Sequence, residues 1–306
     1  ADALRAALAR YLREESGAPV GADRVWAANG SNEVMHHLFL AFGGPGRLAI
    51  TFDPTYSMYP NYARDTFTDY RTFPRCADFS IDVDEAVAAV ASLLPSIVIV
   101  TSPNNPTGTA LPFDDIRAIA DAGLAAGAMV VVDEAYAEFR REGVPSACTL
   151  LDEFPNLVVV RTMSKAFALA GARLGYAAVA DPRVVQALMV VRLPYHLSAV
   201  TQAVALTALA HADVLQAQVA LLRDERDALS DWLGRQGWEV VPSDANFILF
   251  GRFADRDRVW RGLLDRGVLI RQTGPDGWLR VTVGTPVENA MFRSALAAVA
   301  DEEGTR

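Results

Sequence analysis

Three short apolar runs constrain this chain more than any other feature: IVIVT at 97–101, MVVV at 129–132 and LVVV at 157–160. None of them alternates apolar with polar residues, so each predicted strand has to be covered on both faces. A parallel sheet held between helices meets that condition. Helix-length spacers separate the runs, with a helical pattern over 113–125, and further strands are predicted at 25–28, 48–52, 67–73 and 174–180. Parallel neighbours require such crossovers, and right-handed ones, so the expected fold class is α/β. With 306 residues, 51% of them hydrophobic, the chain has material for more than one core, and two domains are expected.

The three runs also end alike. Residues 102–108 (SPNNPTG) bring Asn105, 133–136 (DEAY) bring Asp133 and Tyr136, and 161–173 bring Thr162, Ser164, Lys165 and Arg173. Ligands of open α/β sheets sit outside the carboxyl ends of the strands, so one site is predicted where these ends meet. A further strand, 25–28, runs into Asn29-Gly30-Ser31-Asn32-Glu33 and then a helix over 33–41. The free N–H groups and dipole of that helix start suit a phosphate, although the same residues make an ordinary cap. The strand over 48–52 leads to Tyr56, an aromatic able to cover a flat ring or simply to pack.

Taken singly, each residue has a commonplace explanation: a solvated lysine, a capping aspartate, a turn asparagine. Together they match a phosphorylated pyridine aldehyde, pyridoxal 5'-phosphate. Lys165 is of the type that forms Schiff bases with carbonyls and then moves protons. Asp133 would pair with the ring nitrogen. Asn105 and Tyr136 would donate to the ring oxygen. Gly30, Ser31, Asn32, Thr162, Ser164 and Arg173 would hold the phosphate.

From residue 182 the texture changes. Helical patterns over 182–191 and 198–236, the second broken near His211, precede strands at 238–241, 246–250, 268–271 and 279–283 and helices over 257–265 and 286–300. This is the pattern of an α+β unit. The expected domains are therefore 16–205 (large) and 206–306 (small), joined by a helix over 1–15. Arg271 and Arg280 bracket residues 272–278. Arg280 lies in an apolar strand, where a guanidinium needs an anion: a substrate carboxylate or phosphate, or an acidic residue of the chain itself.

The net charge of −9 and the scattered arginines argue against a nucleic-acid partner. The apolar stretches are too short for a bilayer and no leader pattern is seen, so a cytoplasmic protein with no membrane partner is expected. Two cysteines, Cys76 and Cys148, and four histidines, His36, His37, His196 and His211, show no metal-binding spacing. No metal is expected, and the histidines are assigned structural or solvent roles.

In this order, NGSNE (29–33), SPNNPTG (102–108), VDEAY (132–136), RTMSKAF (161–167), AGARLGY (170–176) and LRVTVGT (279–285) resemble the pyridoxal-phosphate-dependent aminotransferases of fold type I. The resemblance extends over nearly the whole chain. YHLSAVTQ (195–202) and PSDANFILF (242–250) are similar to the histidinol-phosphate aminotransferase branch. The resemblance implies a three-layer large domain with a mostly parallel seven-stranded sheet, a smaller α+β domain, and a homodimer with shared active sites. It implies transfer of an amino group between L-histidinol phosphate and 2-oxoglutarate, a phosphorylated amino alcohol and a 2-oxo acid, in histidine biosynthesis. It matches Arg280 to a carboxylate-binding arginine and Arg271 to one near the substrate phosphate. It makes Tyr11 the candidate for a tyrosine that reaches the neighbouring subunit's cofactor phosphate. A family segment with an Asn-Glu-Asn-Pro-like motif, lying over the substrate, is expected to precede residue 1. The alternatives are an aromatic or broad-range aminotransferase, a decarboxylase using the same cofactor, and a non-catalytic binding protein on this scaffold.

Overall fold

The structure, a computed structural model, describes residues 2–303. Ala1 and residues 304–306, which the sequence reading assigned to the N-terminal helix and the small domain, lie outside the described residues. In chain order come α1 (Asp2–Ser16), β1 (Val25–Ala28), α2 (Ser31–Phe42), β2 (Leu48–Asp53), α3 (Tyr59–Asp65) and β3 (Asp69–Pro74). They are followed by α4 (Val83–Leu93), β4 (Ile97–Thr101), α5 (Phe113–Ala126), β5 (Met129–Asp133), β6 (Leu157–Thr162), β7 (Gly175–Val179) and α6 (Pro182–Val191). The seven strands form one sheet in the order β1-β7-β6-β5-β4-β2-β3. All of them run the same way except β7, which is antiparallel to both β6 and β1.

Residue parity explains the unbroken apolar runs. Val98, Val100, Val130, Val132 and Val159 enter a core with α1, α4 and α5. Ile97, Ile99, Val131, Val158 and Val160 enter a second core with α2, α3 and α6 on the other face. Thr101, Asp133 and Thr162 continue the second parity to the last residue of their strands, and Arg161 continues the first. Local signals start the covering helices: Asp82 accepts from Glu85 N at the head of α4, and Asp181 accepts from Arg183 N with Pro182 opening α6.

The remaining elements are α7 (Ala199–Ala210), α8 (Ala212–Arg235), β8 (Glu239–Val240), β9 (Phe247–Gly251), α9 (Arg256–Asp265), β10 (Leu279–Thr282) and α10 (Pro286–Glu303). Strands β10-β9-β8 make a small antiparallel sheet with its own core of Leu229, Leu233, Ile248, Phe250, Leu279 and Leu296. The break expected near His211 is present, and α7 and α8 bend there by 72°. No single helix among the described residues is long and apolar enough to cross a membrane.

Two expectations need correcting. The domain boundary at 205/206 falls inside α7, and both Leu209 of α7 and Val219 of α8 pack into the first core, whereas Leu229 and Leu233 pack into the small one. The changeover therefore runs along α8. The strand expected at 268–271 reduces to an isolated bridge between Arg271 and Arg280. Only Ile270 of that stretch is buried and Leu269 is exposed, so no apolar face holds a longer pairing.

Candidate active site

The carboxyl ends of β1, β2, β4, β5 and β6 open on one edge of the large sheet, and β7 starts there. Gly30 joins β1 to α2 at φ +86°, a conformation that glycine takes without strain. A Cβ on Gly30 would also meet Arg173 Nη2 at 2.5 Å. On the neighbouring strand, a Cβ on Gly175 would fall on the backbone nitrogen of Ser31. Two glycines thus let β7, the start of α2 and Arg173 close on one another. Glu33 N and Val34 N donate back to Gly30 O at 3.1 and 3.3 Å, and the Ser31 and Asn32 N–H groups open the first turn. Arg173 Nη1 and Nη2 are steered by Ala170 O and Asn29 O, at 3.1 and 3.4 Å. Thr162 Oγ1 accepts from Ser164 N at 3.2 Å and so shapes the turn that presents Lys165.

A cavity of about 280 Å³ lies against this cradle. Ser31, Asn32, Tyr56, Asn105, Asp133, Tyr136, Thr162, Ser164, Lys165, Arg173 and Arg280 all line it. A wider groove of about 770 Å³ shares Tyr56 with the cavity, but proline, threonine and aromatic side chains dominate its wall. The wider groove carries Asp53 and Tyr70 but no cation, whereas the smaller cavity gathers Lys165, Arg173, Arg280 and Asp133, and chemistry is assigned to it on that ground rather than on size.

Asp133 is buried, with Tyr59 Oη donating to Oδ2 at 2.7 Å and Ala135 N to Oδ1 at 3.1 Å. Burial raises its pKa despite these bonds and the attraction of Lys165. Lys165 points into the cavity, with Nζ 5.5 Å from the centre of the Tyr136 ring. Although the side chain opens onto the cavity, the surrounding walls desolvate the ammonium and Arg280 repels it, so its pKa lies below the usual lysine value. Tyr136 packs edge-on against Phe247 at 5.1 Å, and burial pushes its hydroxyl up to about 12. Tyr56 Oη donates to Asn32 Oδ1 at 3.2 Å, which ties the aromatic wall to the first turn of α2.

Arg280 reaches across from the small sheet. Its Nη1 donates to Asn105 Oδ1, its guanidinium carbon lies 4.5 Å above the Phe247 ring centre, and its buried Nε has no hydrogen-bond partner. Among the described residues it forms no ion pair, which removes the internal acidic partner left open by the sequence. Desolvation, with Arg271 adding repulsion, holds its pKa below the ordinary arginine value. Arg271 itself does not line the cavity. It is exposed on an adjoining groove that Arg280 also borders.

Tyr11 is misplaced by the sequence reading. It is buried in its own chain's core, edge-on to Phe167 at 5.1 Å, with Oη donating to Glu138 at 3.2 Å and accepting from Gln216 Nε2 at 2.8 Å. Burial first, and then Glu138, push its hydroxyl far above the usual tyrosine range. A side chain committed in this way does not extend to another subunit.

Sequence reasoning also overlooked two supports. Tyr59 opens α3 as a fully buried side chain, and its hydroxyl holds the Asp133 carboxylate from below the strand end. Arg161 is fully buried under the ends of β5 and β6, with Nε 2.8 Å from Glu134 and Nη2 3.1 Å from Glu15. Burial alone would raise the Glu134 carboxyl, but Arg161 and Arg140 outweigh it and hold it below its usual range. An arginine inside an apolar strand, one residue before Thr162, was the available signal.

The family profile Aminotransferase class I and II matches residues 1–298. Histidinol-phosphate aminotransferase of Thermobifida fusca is 63% identical over 296 residues, covering 97% of this chain and 78% of that protein. Histidinol-phosphate aminotransferase 3 of Burkholderia lata is 57% identical over 297 residues, covering 97% and 79%. Among solved structures, histidinol-phosphate aminotransferase from Sinorhizobium meliloti in complex with pyridoxal-5'-phosphate has a TM-score of 0.87 at 25% identity, over 99% of this chain and 83% of that one.

Proposed function

The chain belongs to the class I and II aminotransferase family, and from that premise we propose that it converts L-histidinol phosphate and 2-oxoglutarate reversibly into imidazole acetol phosphate and L-glutamate. The observation that carries this reading is a charge imbalance in one cavity. Lys165, Arg173 and Arg280 face it and, among the described residues, none of them is in an ion pair; buried Asp133 is the one carboxylate on the wall, and Lys165 attracts it without forming an ion pair. Pyridoxal 5'-phosphate fits that imbalance, since it brings a dianion for the cradle that Gly30 and Gly175 leave open and a ring nitrogen for Asp133. When bound, it supplies an aldehyde for the substrate amine and a ring that accepts the electron pair of the broken C–H bond.

The side chains then have separate tasks. The Ser31 and Asn32 N–H groups, Thr162, Ser164 and Arg173 hold the phosphate. Asp133 keeps the ring nitrogen protonated, and that positive charge offsets the cost of burying the carboxylate. Asn105 and Tyr136 would donate to the ring hydroxyl, and Tyr56 would cover the ring. Lys165 would hold the cofactor through its amine and would carry the proton at the reacting carbon; its depressed pKa leaves more neutral amine at a given pH. Arg280 takes the carboxylate of glutamate, and with Arg271 the phosphate of histidinol phosphate.

The test compares kcat/KM for histidinol phosphate with those for phenylalanine and tyrosine, with 2-oxoglutarate as acceptor. A large preference for histidinol phosphate is expected. Comparable values would replace the reading with an aromatic or broad-range aminotransferase. The reading includes a homodimer, supported by the run of exposed apolar side chains at Val190, Leu193, Tyr195 and Val200. Sedimentation at micromolar concentration should give twice the chain mass.

A further inference from the structure

Residues 192–198 join α6 to α7, with Leu193 and Tyr195 exposed and Tyr195 at φ +54°. His196 turns inward from this segment. Its ring stacks on Trp26 of β1 at 5.2 Å with 4° between the planes, and its Nε2 lies 2.9 Å from Ala27 O. His37, on α2, accepts from Trp26 Nε1 at 3.3 Å and meets the His196 ring edge-on at 5.7 Å. The sequence reading scattered these histidines; the fold gathers two of them around one tryptophan.

Asn29 connects this cluster to the anion cradle. Its side-chain amide donates to His196 O, and the same amide and its backbone N–H donate to Glu33 Oε2, at 2.9 and 2.6 Å. Its carbonyl accepts from Arg173 Nη2 at 3.4 Å. The residue before Gly30 is thus held by α2, by the cradle's arginine and by the 192–198 segment. Neither Asn29 nor His196 lines the cavity.

We propose that Asn29 and His196 are positioning residues for the cofactor phosphate. The inference rests on the cofactor site proposed above. Gly30 has no side chain to hold its own conformation, and Arg173 is exposed at φ +57°. Without the Asn29 hub these donors would have to be ordered by the incoming anion, at a cost in affinity. Asn29 orders the Gly30 peptide and Arg173 in advance, and His196 holds Asn29.

The test is a titration with pyridoxal 5'-phosphate and, separately, with pyridoxal, which lacks the phosphate. Wild type, Asn29→Ala, His196→Ala and His196→Gln are compared, with thermal melts to check folding. In wild type the phosphate should contribute a large ratio between the two dissociation constants. Asn29→Ala and His196→Ala should cut that ratio about ten-fold, the scale of one or two net hydrogen bonds, while leaving pyridoxal affinity unchanged. His196→Gln, which keeps a donor for Ala27 O, should restore most of it. An unchanged ratio in Asn29→Ala, or equal loss of both ligands, overturns the proposal. Asn29→Ala decides the matter even if His196→Ala unfolds on losing its ring stack. A wild-type protein that binds pyridoxal as tightly as its phosphate would instead overturn the cofactor site on which the proposal stands.

Discussion

Lys165 and Arg280 arrive at one cavity from different sheets, and the repulsion between them is part of how the lysine is tuned. Desolvation is the larger cause of its lowered pKa and Arg280 the second, with Asp133 opposing both. Arg280→Ala removes one depressing influence, so the Lys165 pKa should rise towards the ordinary value. At fixed pH less of the amine is then neutral. The pH profile for capture of pyridoxal 5'-phosphate should move to higher pH, and an unshifted profile would remove Arg280 from this role. Lys165→Ala should lower kcat by at least about 10³-fold, since it removes the proton carrier. Its melting temperature should stay near wild type, because the side chain packs against little. Most of the residues that line the cavity were legible because three buried strands end in polar clusters at the same place, even though each residue singly has a commonplace explanation. Tyr11 was not read correctly, although its spacing from Leu4, Leu8 and Leu12 already set it on the apolar face of α1. The Asn29–His196 link was beyond reach, because 167 residues separate partners whose meeting depends on how α6 and α7 pack.

The hairpin β6–β7 matters more at the element scale than any crossover. Because β7 returns antiparallel, residues 163–174 leave and re-enter the same sheet edge, delivering Lys165 on the way out and Arg173 on the way back. Gly175 then passes so close to Ser31 that a methyl group has nowhere to go. Gly175→Ala should cost about 1–3 kcal/mol of stability by overpacking against backbone and should weaken pyridoxal 5'-phosphate binding as α2 is pushed away. Urea denaturation and a cofactor titration measure the two effects, and a variant as stable as wild type would contradict the close approach. Strand positions were readable from the parity-free apolar runs. The direction of β7 was not, since a run of this length pairs equally well either way. The expected strand at 268–271 failed for want of a second buried side chain.

For the whole molecule, the first core of the large sheet and the core of the small sheet are linked by α8, whose two ends pack into different cores. Buried Arg226 strengthens the link through Nη1, which donates to Phe139 O at 2.6 Å and to Ala245 O at 3.3 Å. A boundary placed by texture alone could not see a helix that serves both units. The unmatched cations of the cavity have one more consequence, which concerns how fast an anion arrives. The chain carries 37 acidic against 28 basic side chains, so at a distance it repels phosphate and carboxylate compounds. Close to the opening the sign reverses, because Lys165, Arg173 and Arg280 gather where Asp133 is the carboxylate on the cavity wall. Raising ionic strength from about 0.01 M to about 0.15 M shortens the screening length from ~30 Å to ~8 Å. If the local field governs encounter, the association rate of pyridoxal 5'-phosphate should fall over that range, despite the protein's overall negative charge. A rate that rises with salt in stopped-flow measurements would mean that the distant charge prevails.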